Sequence, residues 1–278
     1  MSALAQPREA EFDFDATDFN RVCKLIYKRA GISLHEGKRA MVYSRLSRRL
    51  RDVGYSSFGD YLDALEQASG ARAEQEWQEF VNCLTTNLTS FFREEHHFPV
   101  LATELAQHKD QHLRLWCNAA STGEEPYSLA MTVTEALGAN ANVKILCTDI
   151  DTKVLATAER GVYAADARGL SDERLRRHFL RGNGANSGAI RVKPELQRLV
   201  EFRPHNLMDE RWSLGEPFHI VFCRNVMIYF DAPTQRRVLE RMHRAMQPHG
   251  LLFAGHSENF SASRDLFRLR GKTVYERV

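Results

Sequence analysis

Apolar residues recur at helical spacing over residues 12–84: Phe19, Val22, Leu25 and Ile26, then Val42, Leu46 and Leu50, then Tyr61, Leu62 and Leu65. Ser57 with Asp60 suits a helix start, and Gly54, Gly59 and Gly70 punctuate the stretch. No strand-like alternation interrupts it, so the pattern predicts a small helical bundle. After Pro99 short apolar runs take over: L-R-L-W-C-N-A (113–119), V-K-I-L-C-T-D-I-D (143–151), L-V-E-F-R-P-H-N-L (199–207), F-H-I-V-F-C-R-N (218–225), G-L-L-F-A-G-H (250–256) and T-V-Y-E-R-V (273–278). Helical stretches such as V-L-A-T-A-E-R and T-Q-R-R-V-L-E-R-M-H-R-A-M lie between several of them. Short buried strands alternating with helices predict a parallel α/β sheet covered on both faces.

Residues 165–198 break that rhythm. A polar helix, S-D-E-R-L-R-R-H-F-L, is followed by R-G-N-G-A-N-S-G-A-I-R-V-K-P-E-L, where Gly182, Gly184 and Gly188 flank turns and A-I-R-V is strand-like. This predicts a small hairpin-bearing insertion between the second and third core strands. A disordered loop has the same composition and is the alternative.

Composition adds little to the picture. The 278 residues allow one large domain or a smaller pair, and 43% hydrophobic with 27% charged residues is ordinary for a globular protein. A net charge of +2 implies neither nucleic acid nor membrane, and no apolar run is long enough to span a bilayer. The N-terminus shows no basic region followed by an apolar one, so no signal peptide is expected and the protein reads as cytoplasmic. Five widely spaced cysteines, three of them (Cys117, Cys147, Cys223) inside apolar runs, suit reduced core thiols. The histidine clusters His96-His97 and His108/His112 lack the partners of a zinc site, and no metal is expected.

Local charge is more informative. Between residues 20 and 51, Arg21, Lys24, Lys28, Arg29, Lys38, Arg39, Arg45, Arg48, Arg49 and Arg51 face only Glu36, while the flanks Glu9–Asp18 and Asp52–Glu79 are acidic. Arg45 and Arg49 lie one turn apart with Arg48 adjacent, opposite Leu46 and Leu50. This is either a solvated helix face or a docking surface for an acidic partner.

In a doubly wound sheet, ligands bind beyond the carboxyl ends of the strands. The first strand ends in N-A-A-S-T-G-E-E-P, whose small residues let a ligand approach the backbone. Gly123 stands alone, so the G-x-G-x-x-G of a pyrophosphate site is absent, which argues against NAD or FAD. The second strand ends in Asp149, placed to accept both hydroxyls of a ribose, whereas Asp151 better suits an N-cap. An adenosine without pyrophosphate points to S-adenosylmethionine, with another nucleotide as the alternative.

Five stretches carry a resemblance: T-T-N-L-T-S-F-F-R-E (85–94), A-A-S-T-G-E-E-P-Y-S-L-A (119–130), T-D-I-D (148–151), F-C-R-N-V-M-I-Y-F (222–230) and G-L-L-F-A-G-H-S-E-N-F (250–260). In this order, over nearly the whole chain, they resemble the CheR-type chemotaxis receptor methyltransferases. The resemblance implies an all-α N-terminal domain (1–84) and a class I, Rossmann-like S-adenosylmethionine-dependent methyltransferase domain (85–278) with a small antiparallel β-subdomain near 165–198. It implies methyl transfer from S-adenosylmethionine to receptor glutamates, giving methyl esters and S-adenosylhomocysteine. Cofactor contacts would come from Asn87, Thr89, Arg93, Glu124, Asp149, Asn206, Leu207, Arg224 and Asn225. Glu124 would sit by the methionine ammonium, Asn206-Leu207 by the adenine, and Tyr229 by the transferring methyl. Arg93 would align the incoming carboxylate, and an interdomain salt bridge is its alternative role. Arg224-Asn225 would hold the cofactor's other side, and a structural partner's role is the alternative for Arg224.

Arg45, Arg48 and Arg49 would meet the acidic methylation helices of the chemoreceptor. Gly182, Gly184 and Gly188 would shape a loop that binds a C-terminal receptor pentapeptide in the members that use such a tether. Two readings from other classes are a non-catalytic sensor of S-adenosylmethionine and an RNA methyltransferase. Retained Arg93 and Tyr229 oppose the first. The second has only the basic 20–51 stretch in favour, so no nucleic-acid partner is expected.

Overall fold

The computed structural model describes residues 11–278. Glu9 and the N-terminal stretch inspected for a leader lie outside the described residues. The chain divides into two compact units, residues 1–85 and Thr86–Val278.

The first unit holds four helices: α1 (Ala16–Ala30), α2 (Arg39–Val53), α3 (Phe58–Gln67) and α4 (Ala71–Leu84). Asp15 starts α1 with a capping box, accepting from the Asp18 amide at 2.8 Å, and Ser57 starts α3 by accepting from the Asp60 amide. Gly54 ends α2 in the left-handed region, but Gly59 lies inside α3 and marks no boundary. Val22, Ile26, Val42, Leu46, Leu50 and Phe58 are fully buried between the helices. Each stabilises the bundle by about 1.5–3 kcal/mol.

Several arginines of the basic stretch are engaged within this unit. Arg21 pairs with Asp63 and Glu66, Arg29 with Glu74, and Arg49 with Glu76, donating from Nε at 2.9 Å. Arg45 donates to the carbonyls of Cys83 and Thr85, which the end of α4 leaves open. The three α2 arginines therefore do not form one solvated face: Arg45 and Arg49 are half-buried and engaged within the unit, and Arg48 is exposed. Sequence spacing placed them together but could not show that the acidic flank folds back onto them.

The second unit runs α5 (His97–Gln107), β1 (Leu113–Cys117), α6 (Glu124–Leu137), β2 (Val143–Asp149), α7 (Thr152–Arg160), β3 (Val162–Ala164), α8 (Asp172–His178), β4 (Phe179–Arg181), β5 (Ala189–Val192), α9 (Pro194–Gln197), β6 (Val200–Pro204), β7 (Phe218–Cys223), α10 (Ala232–Ala245), β8 (Met246–Ala254), β9 (Phe267–Gly271) and β10 (Val274–Arg277). Seven strands form the main sheet in the order β6-β2-β1-β7-β8-β10-β9. The five from β6 to β8 are parallel, but β10 is antiparallel to both β8 and β9, so the sheet is mixed. The departure from an all-parallel sheet has a local cause. Only Phe267 of β9 is buried, so this edge strand lacks a strong apolar signal, and the tight turn at Lys272-Thr273 can join only antiparallel neighbours.

The insertion forms its own antiparallel sheet, β3-β5-β4, and starts at Val162 rather than 165, because V-Y-A is too short to read as a strand. Alternate residues of the main sheet feed two cores. Phe222 and Phe253, stacked at 4.3 Å, face the α5 and α6 side, whereas Val221 and Leu252 face the α10 side. The three core cysteines are buried and reduced.

The chain proceeds from β1 outward to β2 and β6, then returns to β7 on the other side of β1. The carboxyl ends of β1 and β7 thus flank the crevice at which strand order reverses.

Candidate active site

Loops from the five parallel strands and the segment before α5 converge at that crevice. After β1 the chain turns through Ser121 (φ 48°) and Gly123 (φ 97°) into α6. Gly123 is required twice over: its φ is left-handed, and a Cβ there would press on the Tyr163 hydroxyl and Ala158. Glu124 is the first residue of α6, where its charge is favoured by the helix dipole, and it accepts from the Thr122 hydroxyl at 2.6 Å.

Asp149 ends β2. One oxygen accepts from the Ser121 amide and the other from the Asp151 amide, both at 2.9 Å. Burial pushes this carboxyl up to about 6; bonds from the amides of Asp151, Ser121 and Ile150 oppose the shift and the Asp151 charge adds to it. Asp151 caps α7 by accepting from the Lys153 and Val154 amides, as its spacing suggested, and also accepts from the Asn87 carboxamide at 2.8 Å. The Asn87 carbonyl in turn accepts from the Ser121 hydroxyl at 2.9 Å. The segment 86–90 is thereby tied to the ends of β1 and β2. Thr89, half-buried, lies within it.

Asn206 and Leu207 follow β6 rather than end it. Asn206 accepts from the Met208 amide, and the Leu207 side chain is packed in the α10-side core. Asn206 and Asp149 are brought together because the His205 amide donates to the Asp149 carbonyl at 3.0 Å.

The two arginines at the site differ sharply. Arg224, after β7, has a side chain 1% exposed; it donates to Glu125 at 2.6 Å and to the Arg93 carbonyl, and it lies 3.5 Å from Glu94. Its guanidinium is thus directed at carboxylates of the protein. Arg93, half-buried, donates to the Leu88 carbonyl at 2.9 Å and forms no ion pair among the described residues. Asn225 sits at φ 59° with its Nδ2 donating to Glu94 at 3.3 Å, which leaves Oδ1 as the acceptor it offers. Tyr229 closes a 3₁₀ turn, Met227–Tyr229, and is half-buried. Four residues other than glycine with positive φ, namely Phe92, Glu94, Ser121 and Asn225, gather at this edge, as functional sites often show.

Two carboxylates here were not singled out from sequence. Glu94 faces Arg224, Asn225 and, at 3.7 Å, His256; burial would raise its carboxyl, but Arg224 holds it below the usual range. Glu258, in G-H-S-E-N-F, accepts from the backbone amides of Asn225 (3.0 Å), Val226 (3.0 Å), Met227 (2.8 Å) and Gly255. Their motifs were the only sequence signal, since neither residue has a telling spacing. Glu94 also lies with His96 and His97, with potential ligand atoms within 4.8 Å of one another. Arg224 already meets the charge of Glu94, and burial pushes the His97 imidazole down to about 3, so it stays neutral and bonds the Thr273 hydroxyl at 2.9 Å.

The chemistry of the donor set suits an adenosyl amino acid. The Asp149 carboxylate, held by backbone amides at the strand end, is an acceptor of the kind a diol needs, and Glu124 can meet an ammonium. No glycine-rich amide run for a diphosphate accompanies them.

Known proteins agree. The model described as "CheR methyltransferase, SAM binding domain" matches residues 87–276, and "CheR methyltransferase, all-alpha domain" matches residues 17–85. A chemotaxis protein methyltransferase of Klebsiella aerogenes is 53% identical over 277 residues, covering 99% of this chain and 93% of the relative. Chemotaxis protein methyltransferase 2 of Pseudomonas aeruginosa is 51% identical over 269 residues (95% and 94%), and the Escherichia coli K12 enzyme 51% over 261 residues (92% and 89%). With a helical first unit, a Rossmann-like second unit and a strand-end site suited to S-adenosylmethionine, the chain belongs to the CheR methyltransferase family.

Proposed function

We propose that the protein methylates glutamate side chains of chemoreceptors, forming methyl esters, and that Arg93 receives the acceptor carboxylate. The observation that carries this reading is the contrast between the two arginines. Arg224 is enclosed by Glu125 and Glu94, whereas Arg93 stands at the lip of the crevice beside Leu88, which is 82% exposed. One cation is left to meet an anionic acceptor.

Asp149 would hold the ribose, Glu124 the methionine ammonium, Asn206 and Leu207 the adenine, and Asn225 the opposite side of the ligand. When bound, S-adenosylmethionine supplies a methyl group activated by its sulfonium. The residues around it need do no proton chemistry, because a glutamate is already ionised near neutral pH. Alignment by Arg93 and Tyr229 then contributes most, and good alignment is worth up to about 7–11 kcal/mol. Transfer neutralises a carboxylate and a sulfonium together, so a tight grip on either would slow it, and a half-exposed Arg93 suits an orienting role.

Receptor recognition is proposed at two places. Arg48 on α2 faces solvent and can meet acidic methylation helices. In the insertion, β4 is an edge strand whose Leu180 and Arg181 are exposed, open to an added strand such as a receptor tail. Among the described residues no helix is long and apolar enough to cross a membrane.

The deciding experiment measures base-labile methyl incorporation into candidate receptors with and without their C-terminal tails. Arg93→Ala and Tyr229→Phe should lower turnover far more than affinity for S-adenosylhomocysteine; equal losses in both would refute the assignment. A tail peptide ending in an aromatic residue should bind by calorimetry, and deletion of Gly182–Gly188 should abolish it. No binding would place the protein among tether-independent members of its family.

A further inference from the structure

Asn225 and Val226 lie between β7 and a 3₁₀ turn that Met227 opens, so none of the three amides has a ladder partner. The 3₁₀ turn that follows has no cap from its own N-terminal residue. Converging amides of this kind usually form a nest for a ligand anion. Here Glu258 fills it from the loop after β8. Its side chain belongs to a residue only 4% exposed, with Oε1 on the Val226 and Met227 amides and Oε2 on those of Asn225 and Gly255.

The match is one of number as well as sign. A carboxylate offers about four acceptor positions, and four backbone donors take them. Asn225 is held in the left-handed region, φ 59°, which asparagine adopts more readily than most residues with a side chain but which is not its ordinary conformation. The amide of that same residue is one of the four. Glu258 therefore opposes relaxation of Asn225 to an ordinary backbone conformation, and it fixes the start of the turn that ends in Tyr229. Glu94 steadies the same loop by accepting from the Asn225 carboxamide.

We propose that Glu258 is a positioning residue for methyl transfer, gripping the backbone beneath Asn225 and Tyr229 so that both side chains face the cofactor. It acts through these residues and touches neither cofactor nor acceptor. The inference rests on the reading that Asn225 and Tyr229 line the cofactor site.

Glu258→Gln and Glu258→Asp separate this role from space filling. Glutamine is nearly isosteric, but its NH2 group would face two N–H donors. Aspartate is shorter and keeps every acceptor. Glu258→Gln should weaken S-adenosylhomocysteine binding roughly tenfold to a hundredfold and lower kcat, with KM for the receptor unchanged. Hydrogen exchange should rise in residues 222–230 while the rest of the second unit stays protected. Wild-type affinity and kcat in Glu258→Gln would overturn the proposal. Should that variant not fold, Glu258→Asp and the wild-type protein decide: the amides of 225–227 must be protected in the wild type, and unprotected amides overturn the proposal. Asn225→Ala tests the underlying reading separately. Wild-type affinity there would refute the site, whereas a weakened Asn225→Ala beside an unchanged Glu258→Gln would refute only the role of Glu258.

Discussion

Cofactor affinity should fall as the pH drops from 7 to 5, and Asp149 should be the cause. Its carboxyl is pushed from an ordinary 3.8 up to about 6, chiefly by burial. Below pH 3.8 the group is protonated whether the chain is folded or not. Between 3.8 and about 6 only the folded state keeps the proton, so this group makes the ligand-free protein less stable as pH rises through that window. Above 6 it is ionised in both states, and the full cost, about 3 kcal/mol for a shift of roughly two units, is present. A ribose diol can offset that cost because its two hydroxyls donate to the ionised form. Binding S-adenosylhomocysteine should therefore favour the carboxylate and release a proton at lower pH. If the bound state requires ionisation, affinity falls about tenfold from pH 7 to pH 5, and near pH 6 about half a proton leaves on binding. The imidazole of His97, at about 3, is neutral throughout this range. Titration calorimetry in two buffers of different ionisation enthalpy measures both quantities. An affinity that stays flat between pH 7 and 5, or an equal slope in Asp149→Asn, would refute the reasoning.

Three further outcomes follow from named contacts. Arg224→Ala leaves Glu125 and Glu94 without their shared cation in a buried place, and it should destabilise the second unit by about 3–5 kcal/mol in denaturant unfolding; a small loss would show that solvent reaches the pair. Arg49→Ala removes two charged hydrogen bonds to Glu76 and should cost the helical unit about 1.5–3 kcal/mol, whereas exposed Arg48→Ala should change stability by no more than about 0.5 kcal/mol and raise KM for the receptor. Gly182→Ala places a Cβ against the carbonyls of Asn186 and Ala189, so it should open the hairpin and weaken tail-peptide binding while S-adenosylhomocysteine affinity stays at the wild-type value; a loss of both would mean that the insertion supports the cofactor site.

Periodicity made the helical first unit and the parallel strands legible, because β1, β2, β7, β8 and the helices each bury an apolar run or stripe, while β6 shows a weaker alternation of Val200 and Phe202. It did not reveal β9, whose F-R-L-R-G buries one side chain, or β3, three residues long. Direction also escaped it: an apolar run reads the same whether its neighbour is parallel or antiparallel, and only the length of the connection tells them apart. At the site, Asp149 and Asp151 could be separated from sequence because a strand end and an N-cap want the same acid at different offsets. Glu258 could not be found this way. Its partners are backbone amides, which carry no sequence signature, and three of the four lie 31–33 residues away.

Charge shows the same limit most clearly. Arg93 and Arg224 are both arginines in motifs at the strand-end crevice, and nothing in their spacing ranks one over the other. What separates them is which one has carboxylates within reach. Glu94 and Glu125 converge on Arg224, fix the Arg93 carbonyl to it, and so leave the Arg93 side chain as the cation directed outward. The basic helix α2 repeats the pattern, with Glu76 taking Arg49 and an open helix end taking Arg45, while Arg48 is left facing solvent. A count of arginines therefore overstates what an acidic partner meets. If recognition in the first unit rests on cations that the fold does not itself neutralise, removing Arg48 should raise KM for the receptor more than removing Arg45 or Arg49, and equal effects of all three would refute this reading.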